Sequence, residues 1–183
     1  MMATKAPATI DDLYRVRGKA ELINGEIVMM SPTGGKPSLA SLQIARSLAD
    51  YGERTGRGFA VPDNAAFVVD LPHRQSFSPD VAFYHGQATM KFFEGAPIFA
   101  VEVRSEGDYG PDAERAMAAK RADYFAAGTQ VVWDVDLLSD ERIRVYRAGA
   151  PTEPTIYHPG QTADAEPALP GWNFAVDRLL PKV

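Results

Sequence analysis

The sequence predicts one α/β domain in which a central mixed β-sheet is flanked by helices and preceded by a β-hairpin. Three observations lead to this fold class. The chain has 183 residues, a length typical of one domain with its own core. Segments with helical periodicity alternate with short apolar runs that are typical of strands. Asn24-Gly25, a dipeptide preferred in two-residue hairpin turns, lies between two apolar-rich arms.

The first third of the chain predicts two helices and the hairpin. Thr9 is a suitable N-cap for a short helix over about 10–16, because two aspartates follow it in the first turn. The arms of the hairpin occupy residues 20–30. Residues 38–55 are predicted to form a second helix, since their apolar side chains recur at spacings of three and four.

The rest of the chain predicts five strands and one more helix. That helix begins at Pro111, whose missing N–H is tolerated in a first turn, and runs to about 127, where Gly128 favours a stop. The predicted strands lie at about 65–70, 80–84, 98–104, 131–136 and 142–147.

Both ends of the chain are expected to differ from this core. Residues 1–9 are predicted to be flexible. Residues 150–183 hold six of the fourteen prolines and are predicted to wrap the core or a partner subunit. The whole chain, 1–183, is therefore interpreted as one domain.

Composition excludes several classes of protein. The chain has no cysteine, which excludes disulfides and thiolate zinc sites and favours a cytoplasmic location. No apolar run is long enough for a membrane span. The net charge of −5 counts against a protein that coats nucleic acid. Two local basic groups are interpreted as solvated surface: Arg15, Arg17 and Lys19, and Arg142, Arg144 and Arg147.

Two acids on neighbouring strands form the core of a candidate site. Side chains alternate along a strand, so Glu102 and Arg104 share the face opposite to Val101 and Val103. Asp80 opens the strand that precedes this one, and consecutive strands usually lie side by side. Two carboxylates this close repel each other unless a proton, a cation or a metal ion relieves the repulsion. One or two carboxylates with water and phosphate oxygens suit Mg²⁺ or Mn²⁺.

A lysine from the third helix is predicted to join this pair. Lys120 falls on the same helical stripe as Met117 and Tyr124, which should face the sheet. Lysine is rarely buried without a partner, and Glu102 and Asp80 are the expected partners. Such a set suits metal-assisted phosphodiester hydrolysis, in which a lysine orients water and offsets phosphate charge. Met117 and Tyr124 are interpreted as core residues, and Glu21 of the hairpin is a further candidate to reach the metal ion.

Three segments, in this order, resemble a known family. FSPDVAFY, FAVEVRS and AAKRADYFAAGTQVVWDVD are similar to the Uma family of restriction-endonuclease-like proteins, within the PD-(D/E)XK nuclease superfamily. ELINGEIVMMSPTGG resembles the N-terminal hairpin of that family, so the likeness extends from about Ile10 to Arg147. It implies a restriction-endonuclease-like fold, a Mg²⁺- or Mn²⁺-dependent endodeoxyribonuclease, DNA as substrate and a homodimer.

The resemblance also assigns residues. Pro79-Asp80 matches the P-D of the superfamily, and Glu102-Val103-Arg104 matches its acidic-x-Lys with arginine in the lysine position. Asp80 and Glu102 are thus the expected metal ligands, and Arg104 is expected to stabilise the phosphate or to hold Glu102. Arginine cannot serve as a base near neutral pH. The superfamily allows the lysine to move to the neighbouring helix, a position that Lys120 fits.

Two other functions remain open at this stage. The arginine at the lysine position of the motif and the acidic net charge are also compatible with a nuclease-derived binding module that no longer cuts. Relatives in the family often have a histidine at the start of the second helix, and this chain has none near Pro37 and Ser38. A glycosidase would use two carboxylates without metal, although it would have no use for an inward-facing Lys120.

Overall fold

A computed structural model gives the fold of residues 6–181. Its elements are, in chain order, α1 (Ile10–Leu13), β1 (Ala20–Ile23), β2 (Glu26–Met29), α2 (Gly35–Thr55), β3 (Phe59–Val61), β4 (Phe67–Leu71), β5 (Arg74–Phe77), β6 (Val81–Tyr84), β7 (Phe93–Glu94), β8 (Phe99–Val103), α3 (Pro111–Ala126), β9 (Val131–Val135), β10 (Ile143–Arg147), β11 (Ala150–Tyr157), β12 (Thr162–Asp164), β13 (Asn173–Ala175) and a 3-10 turn (Val176–Arg178). None of the helices in this part of the chain is both long and apolar enough to cross a bilayer.

Six strands form the central sheet in the order β11-β10-β9-β8-β6-β3. β8 and β9 run parallel, and the other neighbouring pairs are antiparallel. The predicted mixed sheet is therefore confirmed. Strands β6, β8 and β9 are buried almost throughout, because both faces of the sheet are covered, and this is why their sequences are nearly continuous apolar runs.

One face of the central sheet packs against α2 and the C-terminal segment. Ile44 and Leu48 of α2 are fully buried in the same cluster as Val101 and Trp133. Trp172 joins this cluster from the C-terminal segment, with its ring centroid 5.1 Å from that of Trp133. Within residues 150–181 the chain first adds β11 to the sheet edge and then returns across the core as the β12–β13 pair.

The other face is covered by α3 and a second, five-stranded sheet of order β2-β1-β5-β4-β7. Tyr124 of α3 stacks on Phe77 of β5, with ring centroids 4.1 Å apart. The sequence predicted only the hairpin and the strand at 65–70 of this sheet. It missed β5 because Arg74-Gln75-Ser76 is polar and carries little strand signal. The second sheet matters for the site because it brings β1 to the central sheet.

The hairpin prediction is confirmed by the backbone. Asn24 and Gly25 have φ angles of 51° and 71°, the positive values that a type I′ turn requires, and Ile23 pairs with Glu26. Of the segment predicted to be flexible, residues 1–5 lie outside the described residues. The Ala8 N–H donates to the Gly25 carbonyl over 2.7 Å.

Two helix bounds differ from the sequence prediction. Helix α2 begins at Gly35 instead of residue 38, because Pro37 falls in the first turn, where backbone N–H groups have no intrahelical acceptor. Helix α1 ends at Leu13 and is shorter than the predicted 10–16. Helix α3 covers nearly the predicted residues.

Candidate functional site: an acid pair between two lysines

The register of the central sheet brings Asp80 and Glu102 together. Val81 pairs with Val101, and extending this antiparallel register by one residue places Asp80 opposite Glu102. Opposed side chains on one face of a sheet have Cβ atoms about 5 Å apart. Asp80 is additionally fixed on β8, because its Oδ2 accepts the Val103 N–H over 2.8 Å. The expected convergence of the two acids on one face is what the fold produces.

Lys120 reaches this acid pair from α3. Its Nζ lies 2.8 Å from Glu102 Oε1 and 2.9 Å from Glu21 Oε1. One turn further along the helix, the Tyr124 hydroxyl donates to Glu102 Oε1 over 2.6 Å. The sequence expectation for Lys120 thus holds for Glu102 but not for Asp80, whose ion-pair partner is a different lysine. Tyr124 is a core residue, as expected, and also a hydrogen-bond donor to the site.

That partner is Lys19, which the sequence interpretation left on the solvated surface. Its Nζ lies 2.7 Å from Asp80 Oδ1 and 2.6 Å from Asp63 Oδ1, and its side chain is only 12% exposed. Lys19 directly precedes β1 and stands two residues from Glu21, so both side chains point to the same face of the hairpin. That spacing could have indicated that Lys19 shares a face with Glu21, but it does not point to Asp80 as a partner. The proximity of Asp63, on the loop after β3, had no comparable signal.

Glu21, the further candidate for a metal ligand, has its carboxylate bonded to other protein groups. Its carboxylate is 2% exposed and bonds Arg74 over 2.5 Å, Lys120 over 2.9 Å and the Ser78 N–H over 2.9 Å. Since Ser78 stands just before Pro79-Asp80, Glu21 connects the chain entering β6 with the lysine of α3. Arg74 continues the network to Asp123, 2.8 Å away.

Arg104 lies on the same side of the sheet but in a neighbouring ion-pair group. Its guanidinium donates to both oxygens of Asp134, each over 2.7 Å, and also bonds Glu114. Asp134 lies opposite Glu102 in the parallel β8–β9 register. Among the described residues, the carboxylate partners of Arg104 are therefore Asp134 and Glu114, and neither of the expected metal ligands is among them.

The two glutamates of the site, the buried Glu21 and the partly exposed Glu102, differ in their electrostatics. Burial raises the pKa of Glu102, and the nearby carboxylates of Asp80 and Glu21 add to this rise against the opposing charge of Lys120. Burial would also raise the pKa of Glu21, but Lys120, Arg74 and the Ser78 N–H outweigh it, so the pKa of Glu21 is lowered. Of these two glutamates, Glu21 is the one whose ionised form the surrounding residues stabilise. A further cation beside Glu102 would counteract the rise in its pKa.

The two lysines also have perturbed pKa values. Burial would lower the pKa of Lys120, but the carboxylates of Glu102 and Glu21 overcome it and raise that pKa above its ordinary value. Burial would also lower the pKa of Lys19, but the carboxylates of Asp80 and Asp63 outweigh this effect, so the pKa of Lys19 is raised. Both side chains are consequently ammonium ions at neutral pH.

The acid pair forms part of the wall of a cavity of about 550 Å³. Met30 and Pro32, from the segment between β2 and α2, line one side, and Ala113 and Met117 of α3 line another. Met117 was expected to be a core residue, but the buried residues of α3 are Asp123 and Tyr124, near its C-terminal end, and Met117 lines the cavity instead. The cavity leaves the acid pair accessible to a ligand.

The donor set fits a hard divalent ion that takes few protein ligands. Within residues 6–181 no cluster of three or more acidic or histidine side chains is arranged to hold an ion by itself. Two carboxylates with water and phosphate oxygens are nevertheless a common Mg²⁺ set. Two neighbouring ion-pair groups surround the site, and together their five carboxylates and three Lys or Arg side chains have a formal charge of two negative units. One group is Lys19 with Asp63 and Asp80. The other is Lys120 and Arg74 with Glu21, Glu102 and Asp123, and His73 also contacts Asp123 over 2.6 Å.

Comparisons with known proteins agree with this fold. The family model Uma2, described as "Putative restriction endonuclease", matches residues 9–177. A solved structure from Anabaena variabilis, described as a putative nuclease belonging to DUF820, superposes with a TM-score of 0.75 at 18% identity. The match covers 94% of this chain and 97% of the other. No curated protein matches the chain. At this identity the solved structure supports the restriction-endonuclease-like fold, and the family match covers most of the chain.

Proposed function

The chain belongs to the Uma2 family of restriction-endonuclease-like proteins, and we propose that it is a metal-dependent endonuclease that hydrolyses phosphodiester bonds in DNA. The observation that carries the proposal is the acid pair. Asp80 and Glu102 stand opposite each other on two central strands, in the wall of an open cavity, and Lys120 lies 2.8 Å from Glu102. The two carboxylates suit a hard divalent cation, and the Lys120 ammonium beside them suits a phosphate group.

Asp80 and Glu102 would hold Mg²⁺ or Mn²⁺ in this proposal. The chemistry supplied by such an ion is Lewis acidity, which polarises a phosphate and lowers the pKa of water. Lys120 remains protonated because its pKa is raised. It therefore offsets the negative charge of the phosphate and orients groups around it, and it does not remove a proton.

Arg104 would contribute from the adjacent wall of the cavity. Its pairing with the buried Asp134 fixes the end of β8, whereas Glu114 is half-exposed and is the partner that can be released. The sequence predicted that Arg104 stabilises the phosphate. In such a contact, the N–H groups that now donate to Glu114 would donate to the phosphate instead.

The direct test is cleavage of plasmid and linear DNA with Mg²⁺ or Mn²⁺, with RNA assayed in parallel. Asp80→Asn and Glu102→Gln should each lower the rate by about a hundredfold or more, because each removes an anionic ligand of the proposed metal ion, which supplies the positive charge that stabilises the transition state. Asp70→Asn, on an exposed position of β4, is the matched control and should cleave like the wild type. Cleavage that survives a chelator, or that is unchanged in Asp80→Asn, would exclude this site as the catalyst.

The proposal includes a homodimer in the cytoplasm. Two active sites would let a dimer cut both strands of a duplex in one binding event, and a chain without disulfides is compatible with a reducing compartment. Sedimentation velocity with and without a DNA duplex tests the oligomeric state. A protein that stays monomeric in both conditions would limit the activity to nicking or to single strands.

A second candidate is a binding module of the same fold that no longer cuts. The observation in its favour is that both oxygens of Asp80 already have partners, Lys19 and the Val103 N–H. Calorimetric titration with Mg²⁺ and Mn²⁺ separates the two functions. Oligonucleotide binding without any ion binding would support the module, whereas ion binding that Glu102→Gln abolishes would support the enzyme.

A further inference from the structure

Both oxygens of the Asp80 carboxylate already have one partner each. Asp80 Oδ2 accepts the Val103 N–H at 2.8 Å, and Oδ1 is the oxygen paired with a cationic side chain. The Lys19 ammonium lies 2.7 Å from this Oδ1. A divalent ion held by the Asp80 carboxylate would place a second cation beside the Lys19 ammonium, and the two positive charges would repel each other.

From this geometry we infer that Lys19 and a divalent ion compete for Asp80, and that Lys19 withdraws onto Asp63 when the ion binds. The inference rests on the proposed function only in placing the ion at Asp80. It assigns to Lys19 a role that neither the acid motif nor the family match gives it.

The two lysines of the site differ in how firmly they are held. Lys120 keeps a second partner, Glu21, whose carboxylate is 2% exposed and fixed by Arg74 and Ser78. The second partner of Lys19 is Asp63, which is 39% exposed and lies on the loop between β3 and β4. Lys120 therefore stays in place whatever binds Glu102, whereas Lys19 can move with the Asp63 loop.

Withdrawal does not leave the lysine charge unpaired. Asp63 Oδ1 is 2.6 Å from the ammonium and remains a partner after Asp80 is given up. Lys19 also lines the cavity, so its charge can turn toward a substrate phosphate. Competition lowers the affinity for the ion when it is alone, and a phosphate that attracts Lys19 away from Asp80 favours the ion. Metal and substrate binding are therefore coupled through one side chain.

The test is a Mn²⁺ titration followed by calorimetry and by electron paramagnetic resonance, at fixed pH and ionic strength. Lys19→Met removes the competing charge and keeps an unbranched apolar side chain that is one atom shorter. It should bind Mn²⁺ about tenfold more tightly, which corresponds to about 1.4 kcal/mol. Arg121→Met is the matched control, because Arg121 lines the same cavity but its guanidinium lies 3.7 Å from the Tyr146 ring centroid and it has no ion pair with Asp80. The control should bind within about twofold of the wild type.

Two results would overturn the inference. One is unchanged or weaker Mn²⁺ binding in Lys19→Met. The other is an equal gain in Mn²⁺ affinity in Arg121→Met, which would show that removing any positive charge from the cavity has the same effect. If Lys19→Met does not fold, nuclear magnetic resonance of the lysine side chains in the wild type decides. Mg²⁺ should shift the Lys19 signals more than those of Lys120, and equal or absent shifts would refute the exchange.

These outcomes are distinct from a failure of the proposed function. Tighter binding in Lys19→Met without DNA cleavage by any form would support the lysine exchange and contradict the nuclease. Cleavage by the wild type with no gain in affinity in Lys19→Met would support the nuclease and contradict the exchange.

Discussion

Glu21→Gln is the substitution that most directly tests how the site is held together. The amide keeps the shape and the acceptor oxygen of the side chain but removes a charge that pairs with two cations, the buried Arg74 at 2.5 Å and the partly exposed Lys120 at 2.9 Å. Breaking one buried charge pair costs about 3–5 kcal/mol. The hydrogen bonds that the amide oxygen retains offset about 1 kcal/mol, so we expect a net loss of about 3 kcal/mol. For a chain of this length, that loss lowers the Tm by about 6–12 °C.

Urea denaturation at pH 7 measures this loss, with Glu26→Gln at an exposed position of the same hairpin as the control. The pH dependence gives a second check. Because folding lowers the pKa of Glu21, its stabilisation is fully present above the ordinary value of 4.5 and disappears as the pH falls through the lower folded value. The difference between wild type and Glu21→Gln should therefore shrink below that value. A loss under about 1 kcal/mol at pH 7 would refute the reasoning that Glu21 is the anchor of both cations.

Three further substitutions test other contacts, each by urea or thermal denaturation. Arg104→Met leaves the buried Asp134 without its two-point partner and should cost about 3 kcal/mol or more; a neutral result would mean that the pair does not hold the end of β8. Trp172→Ala empties the core between α2 and the C-terminal segment and should cost about 3–5 kcal/mol; a loss below 1 kcal/mol would show that this segment is dispensable. Gly58→Ala combines a φ of 142° with a Cβ that would lie 2.3 Å from the Tyr84 carbonyl, so a loss above about 2 kcal/mol is expected, and wild-type stability would contradict the backbone conformation.

The acid pair could be predicted because it depends on two local rules. Side-chain alternation fixed the face of Glu102, and the tendency of consecutive strands to pair placed Asp80 beside it. Helical spacing then brought Lys120 to the same face, and the structure places it 2.8 Å from Glu102. Each step needs only the order of residues within one element and the identity of the next element along the chain.

The charge partners of those residues could not be predicted in the same way. The sequence offered Asp80 as a partner of Lys120, but the fold supplies Glu21 from a hairpin far earlier in the chain. Arg104 had an expected partner in Glu102, two residues away, and instead bonds Asp134 across the β8–β9 register. In both cases, the cation lies near several carboxylates and pairs with the one that packing places closest to it.

The sequence by itself determined the three helices, the hairpin turn, the strands β6, β8, β9 and β10 of the central sheet, and the face on which Asp80, Glu102 and Lys120 lie. It could do so because the spacing of side chains along a strand or helix is fixed by local backbone geometry. Tertiary structure alone decided that Lys19 would meet Asp80, from which it is 61 residues distant, and that β5 would join the hairpin to the central sheet. The physical reason is that long-range contacts follow from how whole sheets and helices bury their apolar faces. The polar residues carried along by that packing then pair with whichever charge lies within reach.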